Sequence, residues 1–203
     1  MKDNKEDFDS YLIDDDEEDG KRYTMWDIVP LAMINPEQGW KRARLHGPIP
    51  EIATIRFLIP LCILAGASEF FALIYPGHYT ISGLLVGAVI TFCAYFLGYY
   101  LSLVLSRILL PRNTRKLSAT DYGKLLIMGA TGTLAFFQIL IKSLQMFDFI
   151  LEFLPLWTIF IIFQGIKQIE DVESDKILFA IGLLCVIVIC CPILIEWILA
   201  LFL

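Results

Sequence analysis

The sequence predicts an all-α membrane protein with five transmembrane helices, preceded by a disordered acidic tail and a short interfacial amphipathic helix. Three observations predict it. Of 203 residues, 57% are hydrophobic, which with a mean hydropathy of +0.67 is too oily for a soluble domain. The apolar residues are blocked into long runs rather than spaced at helical or strand period. The acidic residues crowd one end, and the basic ones gather between the runs.

The tail, residues 1–24, comes first. Ten acids against Lys2 and Lys5 before residue 20 leave −8 there, so the rest of the chain carries +2 of the total of −6. The block "DDDEED", Asp14 to Asp19, cannot bury a core and is expected to be disordered. Beside an anionic leaflet such a tail is repelled, and it offers a contact strip for a basic protein partner.

Residues 25–53 follow as an interfacial segment. Asn35 reads as an N-cap, with Pro36 at the first helical position and Gln38 three residues past the cap. Gly47 and Pro48 stop that helix after about three turns. Trp40 among Lys41, Arg42 and Arg44 reads as a helix lying in the headgroup layer, with Trp26 as a second anchor and the lipid bilayer as partner.

A bilayer core of about 30 Å takes roughly 20 apolar residues as helix. Five runs qualify within 54–203, at about 54–75, 81–110, 122–141, 147–166 and 177–203. No cleavable leader is expected, because the N-terminal residues show no basic, apolar, small-residue cleavage pattern. Lys41, Arg42, Arg44 and Arg56 precede the first run, Arg112, Arg115, Lys116 and Lys124 lie between the second and third, and Lys167 and Lys176 between the fourth and fifth. The other side has only Lys142. The expected topology is a cytoplasmic N-terminus, five crossings and a C-terminus at the outer face.

Polar residues inside such runs are expensive and normally face protein or water. Given that topology, Glu69 and Glu196 share a depth near the outer face. Gln138 and Lys142, four apart on the third helix, and Asp148 and Glu152, four apart on the fourth, lie at the same level. Together they form a candidate intramembrane cluster. A structural ion pair through Lys142 is one reading, a proton- or cation-binding site another, and contact with a lipid headgroup a third. His78 is an ordinary loop residue at that level. Small residues mark helix packing, with Gly83, Gly87, Gly98 and several hydroxyls along the second run and Gly129 and Gly132 in "GATGT" on the third. Such stripes serve contacts within the chain or a homo-oligomer equally well.

Enzyme chemistry finds no foothold. His46 and His78 fall on opposite sides of the membrane, and no GxSxG, HExxH or P-loop occurs. The five cysteines lie within the runs and read as small packing residues. No cofactor, metal or nucleic-acid partner is expected.

Three features are similar to the Yip family of five-span membrane proteins, named for Ypt/Rab-interacting proteins, and especially to its bacterial branch. These are Asn35, Pro36 and Trp40 in "NPEQGWKRA" before the first span, the basic stretch "LSRILLPRNTRKLSATDYGKLL" after the second, and the polar run from Gly165 to Lys176 joining the last two. "LGYYLS" echoes a family Gly-Tyr pair through Gly98 and Tyr99. The eukaryotic branch carries Asp-Leu-Tyr-Gly-Pro before its spans. Here "LHGPIP" shares only Gly47 and Pro48, which favours a bacterial inner membrane over vesicle traffic. The resemblance implies a fold and topology, and for bacterial members no settled activity. The function expected is a membrane-organising or adaptor role through the N-terminal region. The alternative is a proton- or cation-coupled transporter or channel subunit using Glu69 and Glu196.

Overall fold

The computed structural model describes residues 23–75, 79–110, 119–151, 153–168 and 174–202. All regular structure among them is helical: α1 (Met25–Ile34), α2 (Pro36–His46), α3 (Pro50–Ile74), α4 (Ile81–Leu109), α5 (Asp121–Ser143), α6 (Asp148–Leu151), α7 (Leu154–Lys167) and α8 (Ser174–Phe202). The acidic tail, Arg112, Arg115, Lys116, His78 and Glu152 lie outside the described residues.

Local chemistry sets the helix starts. The Asn35 Oδ1 accepts from the Gln38 N–H at 3.3 Å and begins α2 as its sequence predicts. Thr80 and Thr120 cap α4 and α5 by accepting from the Gly83 and Gly123 N–H groups at 3.2 and 3.0 Å. At the start of α1, the Asp27 carboxylate accepts from both the N–H and the hydroxyl of Thr24. Pro50 opens α3, which passes through a π-helical stretch, Thr54–Leu58, and ends in a 3₁₀ segment, Ser68–Ile74.

Among the described residues, four helical stretches are long and apolar enough to cross a bilayer: Pro50–Ile74, Ile81–Leu109, Asp121–Ser143 and Phe179–Phe202. The run expected to cross at 147–166 is not one helix. It divides into α6 and α7, and the 14 residues of α7 reach only about 21 Å. Pro155 stands in the first turn of α7, where its missing N–H starts a helix but would interrupt one passing through. The Tyr122 hydroxyl, in the first turn of α5, donates to the Gly165 carbonyl in the last turn of α7 at 2.7 Å. The chain therefore comes back along α5 after Ser143 by way of α6 and α7.

Helix α5 is the centre of the bundle. Every residue from Leu125 to Ala135 is buried, so its small residues face neighbours on all sides. At Gly132 an added Cβ would lie 2.8 Å from the Phe57 ring, and at Gly129 it would lie 2.6 Å from the Trp40 ring. Gly98 on α4 likewise admits Pro192 of α8, whose ring and backbone stand 3.0–3.2 Å from where a Cβ would be. These positions serve close packing, as in helix contacts within lipid. Gly83, expected among them, is exposed in the first turn of α4, and an added Cβ there would meet only its own capping residue, Thr80.

The N-terminal segment departs most from expectation. Helices α1 and α2 form a hairpin, closed at its base by Tyr23 N–H on the His46 carbonyl, and pack into the bundle rather than lying on it. Trp40 is fully buried, so its placement in the headgroup layer is corrected. Its indole sits in a slot made by Gly129 and Gly165 and meets Tyr122 edge-on at 6.3 Å. Its N–H donates to the Ile161 carbonyl at 2.9 Å. A buried indole N–H needs such a partner, and this one comes from the backbone of α7.

Candidate functional site

Among the described residues, polar chemistry gathers at the docked hairpin, at the Tyr122 end of α5, and at an ion pair at the opposite end. The hairpin is held by side chains that take up backbone carbonyls. The Trp26 indole N–H donates to the Arg56 carbonyl at 2.8 Å, an acceptor to which Pro60, four residues on, offers no N–H. Its ring lies edge-on to Phe57 at 4.9 Å. Trp157, at the start of α7, donates to the Met33 carbonyl at 3.0 Å, one of the last four carbonyls of α1, which have no partner within their helix. The Arg44 guanidinium donates to the Gln168 carbonyl just past α7. Arg42 lies over the Tyr23 ring, 5.0 Å from its centroid. Lys41 is exposed. Trp26, Trp40, Arg42 and Arg44, all expected anchors, therefore hold the hairpin through contacts within the chain. Sequence reasoning missed Trp157, Tyr122 and Gly165 as parts of this junction.

At the other end, Glu69 lies in the closing 3₁₀ segment of α3, and Lys142 lies in the last turn of α5. Their side chains meet, with Lys142 Nζ 3.0 Å from Glu69 Oε2. The second oxygen, Oε1, accepts from the Thr91 hydroxyl of α4 at 3.0 Å. The pair is only partly accessible, with the Glu69 side chain 14% and the Lys142 side chain 33% exposed. Gly87 lies beside the carboxylate, where an added Cβ would stand 3.8 Å from Oε2, an ordinary contact. The level of the two helix ends is fixed nearby, where the Tyr75 hydroxyl donates to the Ser143 carbonyl at 2.6 Å. Thr91 was legible only as a small packing residue; its hydroxyl completes the acceptor set of Glu69.

Glu196 on α8 is close enough to Lys142 and Glu69 to feel both charges, yet its side chain is exposed. It flanks the pair from outside. Gln138 is half-buried one turn along α5 from Lys142. Asp148 opens α6, its side chain lies outside the described atoms, and Glu152 lies outside the described residues. The structure thus brings together Glu69, Lys142 and Thr91, with Glu196 at their edge. Chemically, Glu69 is satisfied at both oxygens, whereas Lys142 has two further N–H donors.

No protein-family model, curated protein or solved structure matches the chain.

Proposed function

We propose that the chain is a non-enzymatic, five-crossing membrane protein of Yip type that organises a membrane or recruits a partner through its N-terminal region. The observation that carries this reading is the clamp on the hairpin. Residues 23–46 follow directly on the acidic tail and are held by hydrogen bonds from Trp26, Trp40, Trp157 and Arg44 to the Arg56, Ile161, Met33 and Gln168 carbonyls. A partner bound to the tail would be coupled to the helices through a fixed base rather than a loose tether.

The five crossings rest on the return of the chain along α5. Tyr122 meets Gly165 at one end of that helix, and Tyr75 meets Ser143 at the other. On this reading α6 and α7 together carry the chain back over that depth, with the tip of the α1–α2 hairpin at the start of α7, where Trp157 meets Met33. Basic residues at the Tyr122 end assign it to the cytoplasm. A transport role for Glu69 and Glu196 has weaker support, because Glu69 is fully engaged and Glu196 stands outside the bundle.

The test is light cross-linking in a bacterial host membrane, mild extraction and quantification of what co-purifies. A protein recovered in stoichiometric amount and lost on deleting residues 2–20 is the expected result. Recovery of the chain by itself, or of partners indifferent to that deletion, would remove the tail from the function.

A further inference from the structure

Three charges gather at the Lys142 end of the helices, and one of them has no partner of its own among the described residues. Glu69 and Lys142 neutralise each other at 3.0 Å, leaving the exposed Glu196 carboxylate, which makes no hydrogen bond or ion pair among the described residues. Carboxylates on the surface of an apolar helix are costly unless they meet water or a cation. Lys142, one-third exposed, spends one of its three N–H donors on Glu69 and has two to offer. Beside Glu196 on α8, Trp197 is 70% exposed, and tryptophan on a transmembrane helix favours the headgroup level. The position agrees: Lys142 lies in the last turn of α5 and Glu196 within two turns of the end of α8.

We infer that Glu196 and Lys142 together seat the zwitterionic headgroup of a phospholipid with a primary ammonium, the ammonium on Glu196 and the phosphate on Lys142. The charge pattern selects this occupant. A primary ammonium brings N–H donors to a carboxylate and forms charge-assisted hydrogen bonds, which a quaternary ammonium lacks. An anionic headgroup without a cation would satisfy Lys142 but face two carboxylates. Glu196 lies one turn beyond Pro192, where α8 packs against Gly98 of α4, and among the described residues Lys142 is the cationic side chain whose charge reaches it, with Glu69 and Tyr95 nearby. This inference goes beyond the adaptor reading, and its outcome is independent of whether any protein binds the tail.

The experiment is native mass spectrometry of the full chain released from micelles. These contain equimolar phosphatidylethanolamine, phosphatidylcholine and phosphatidylglycerol of matched acyl chains. The unaltered protein should retain phosphatidylethanolamine about ten-fold over phosphatidylcholine, the worth of one charge-assisted hydrogen bond. Glu196→Gln should erase that preference, and Glu196→Lys should turn it toward phosphatidylglycerol. Both changes are made at an exposed side chain, so the fold is preserved. Equal retention of the two zwitterionic lipids by the unaltered protein would overturn the assignment. So would an unchanged preference in Glu196→Gln.

Discussion

Replacing Trp40 tests the docked hairpin most directly. Truncating a fully buried tryptophan to alanine costs about 3–5 kcal/mol through lost contacts and the cavity left behind, here in the slot between Gly129 and Gly165. At about 1.4 kcal/mol per decade, Trp40→Ala should raise the population of undocked hairpin by about two to three and a half decades. Trp40→Phe keeps a ring but gives up the hydrogen bond to Ile161 and part of the fill, for about 2 kcal/mol. Gly129→Ala should cost about 1–3 kcal/mol by overpacking, because its new methyl would stand 2.6 Å from Trp40 Cη2. That atom belongs to the part of the indole that phenylalanine lacks. The double variant Trp40→Phe/Gly129→Ala should therefore cost less than the two single changes added together, by 0.5 kcal/mol or more, on the scale of about 0.5–3 kcal/mol found for residues in contact. The assay is amide hydrogen exchange on the protein in lipid nanodiscs, followed over residues 25–46 and 161–168. Exchange in both stretches should accelerate together in Trp40→Ala. If 161–168 kept its protection, or if the double variant cost the full sum, Trp40 would not sit in the bundle as described.

Two other outcomes follow from the packing. Lys142→Met should destabilise the protein by about 3 kcal/mol, because it strands a largely buried carboxylate, and adding Glu69→Leu should recover most of that loss; thermal unfolding in a mild detergent measures both. Gly98→Val should separate α4 from α8 where Pro192 approaches to 3.0–3.2 Å, costing about 1–3 kcal/mol, read as faster exchange on those helices and unchanged exchange in the hairpin.

Much of the architecture is legible in the sequence because bilayer length and apolar composition fix long helices almost by themselves. The start of α2 was equally open to reading, since Asn35 and Pro36 act through chemistry local to the chain. Trp40 was misplaced because its neighbours Lys41, Arg42 and Arg44 dominate a linear reading. Around the helix, buried Pro36, Gly39, Trp40 and Ala43 recur at steps of three, one and three, the spacing of one face. Small residues flanking a tryptophan on that face were the available signal for a slot rather than a membrane surface. The division of the expected run at 147–166 into two helices escaped notice for a different reason: summed hydropathy is blind to Pro155. The Glu69–Lys142 pairing could be anticipated from shared depth and opposite charge. Which carboxylate would take the lysine depended on how α3, α4 and α8 are arranged around α5, and single-chain patterns do not encode that arrangement.

The clamp on the hairpin also has a consequence in time. Trp40 and Ile161 are 121 residues apart in the chain, and Met33 and Trp157 are 124 apart. At about 5–20 residues per second, the first helices made must wait roughly 6–25 s before their seat leaves the ribosome. During that interval an apolar α1 and an unsatisfied indole stand at the surface of a half-built bundle. Assembly of this protein therefore closes from its first described helices onto its penultimate one, and α1 lacks its α7 partner until that helix is made.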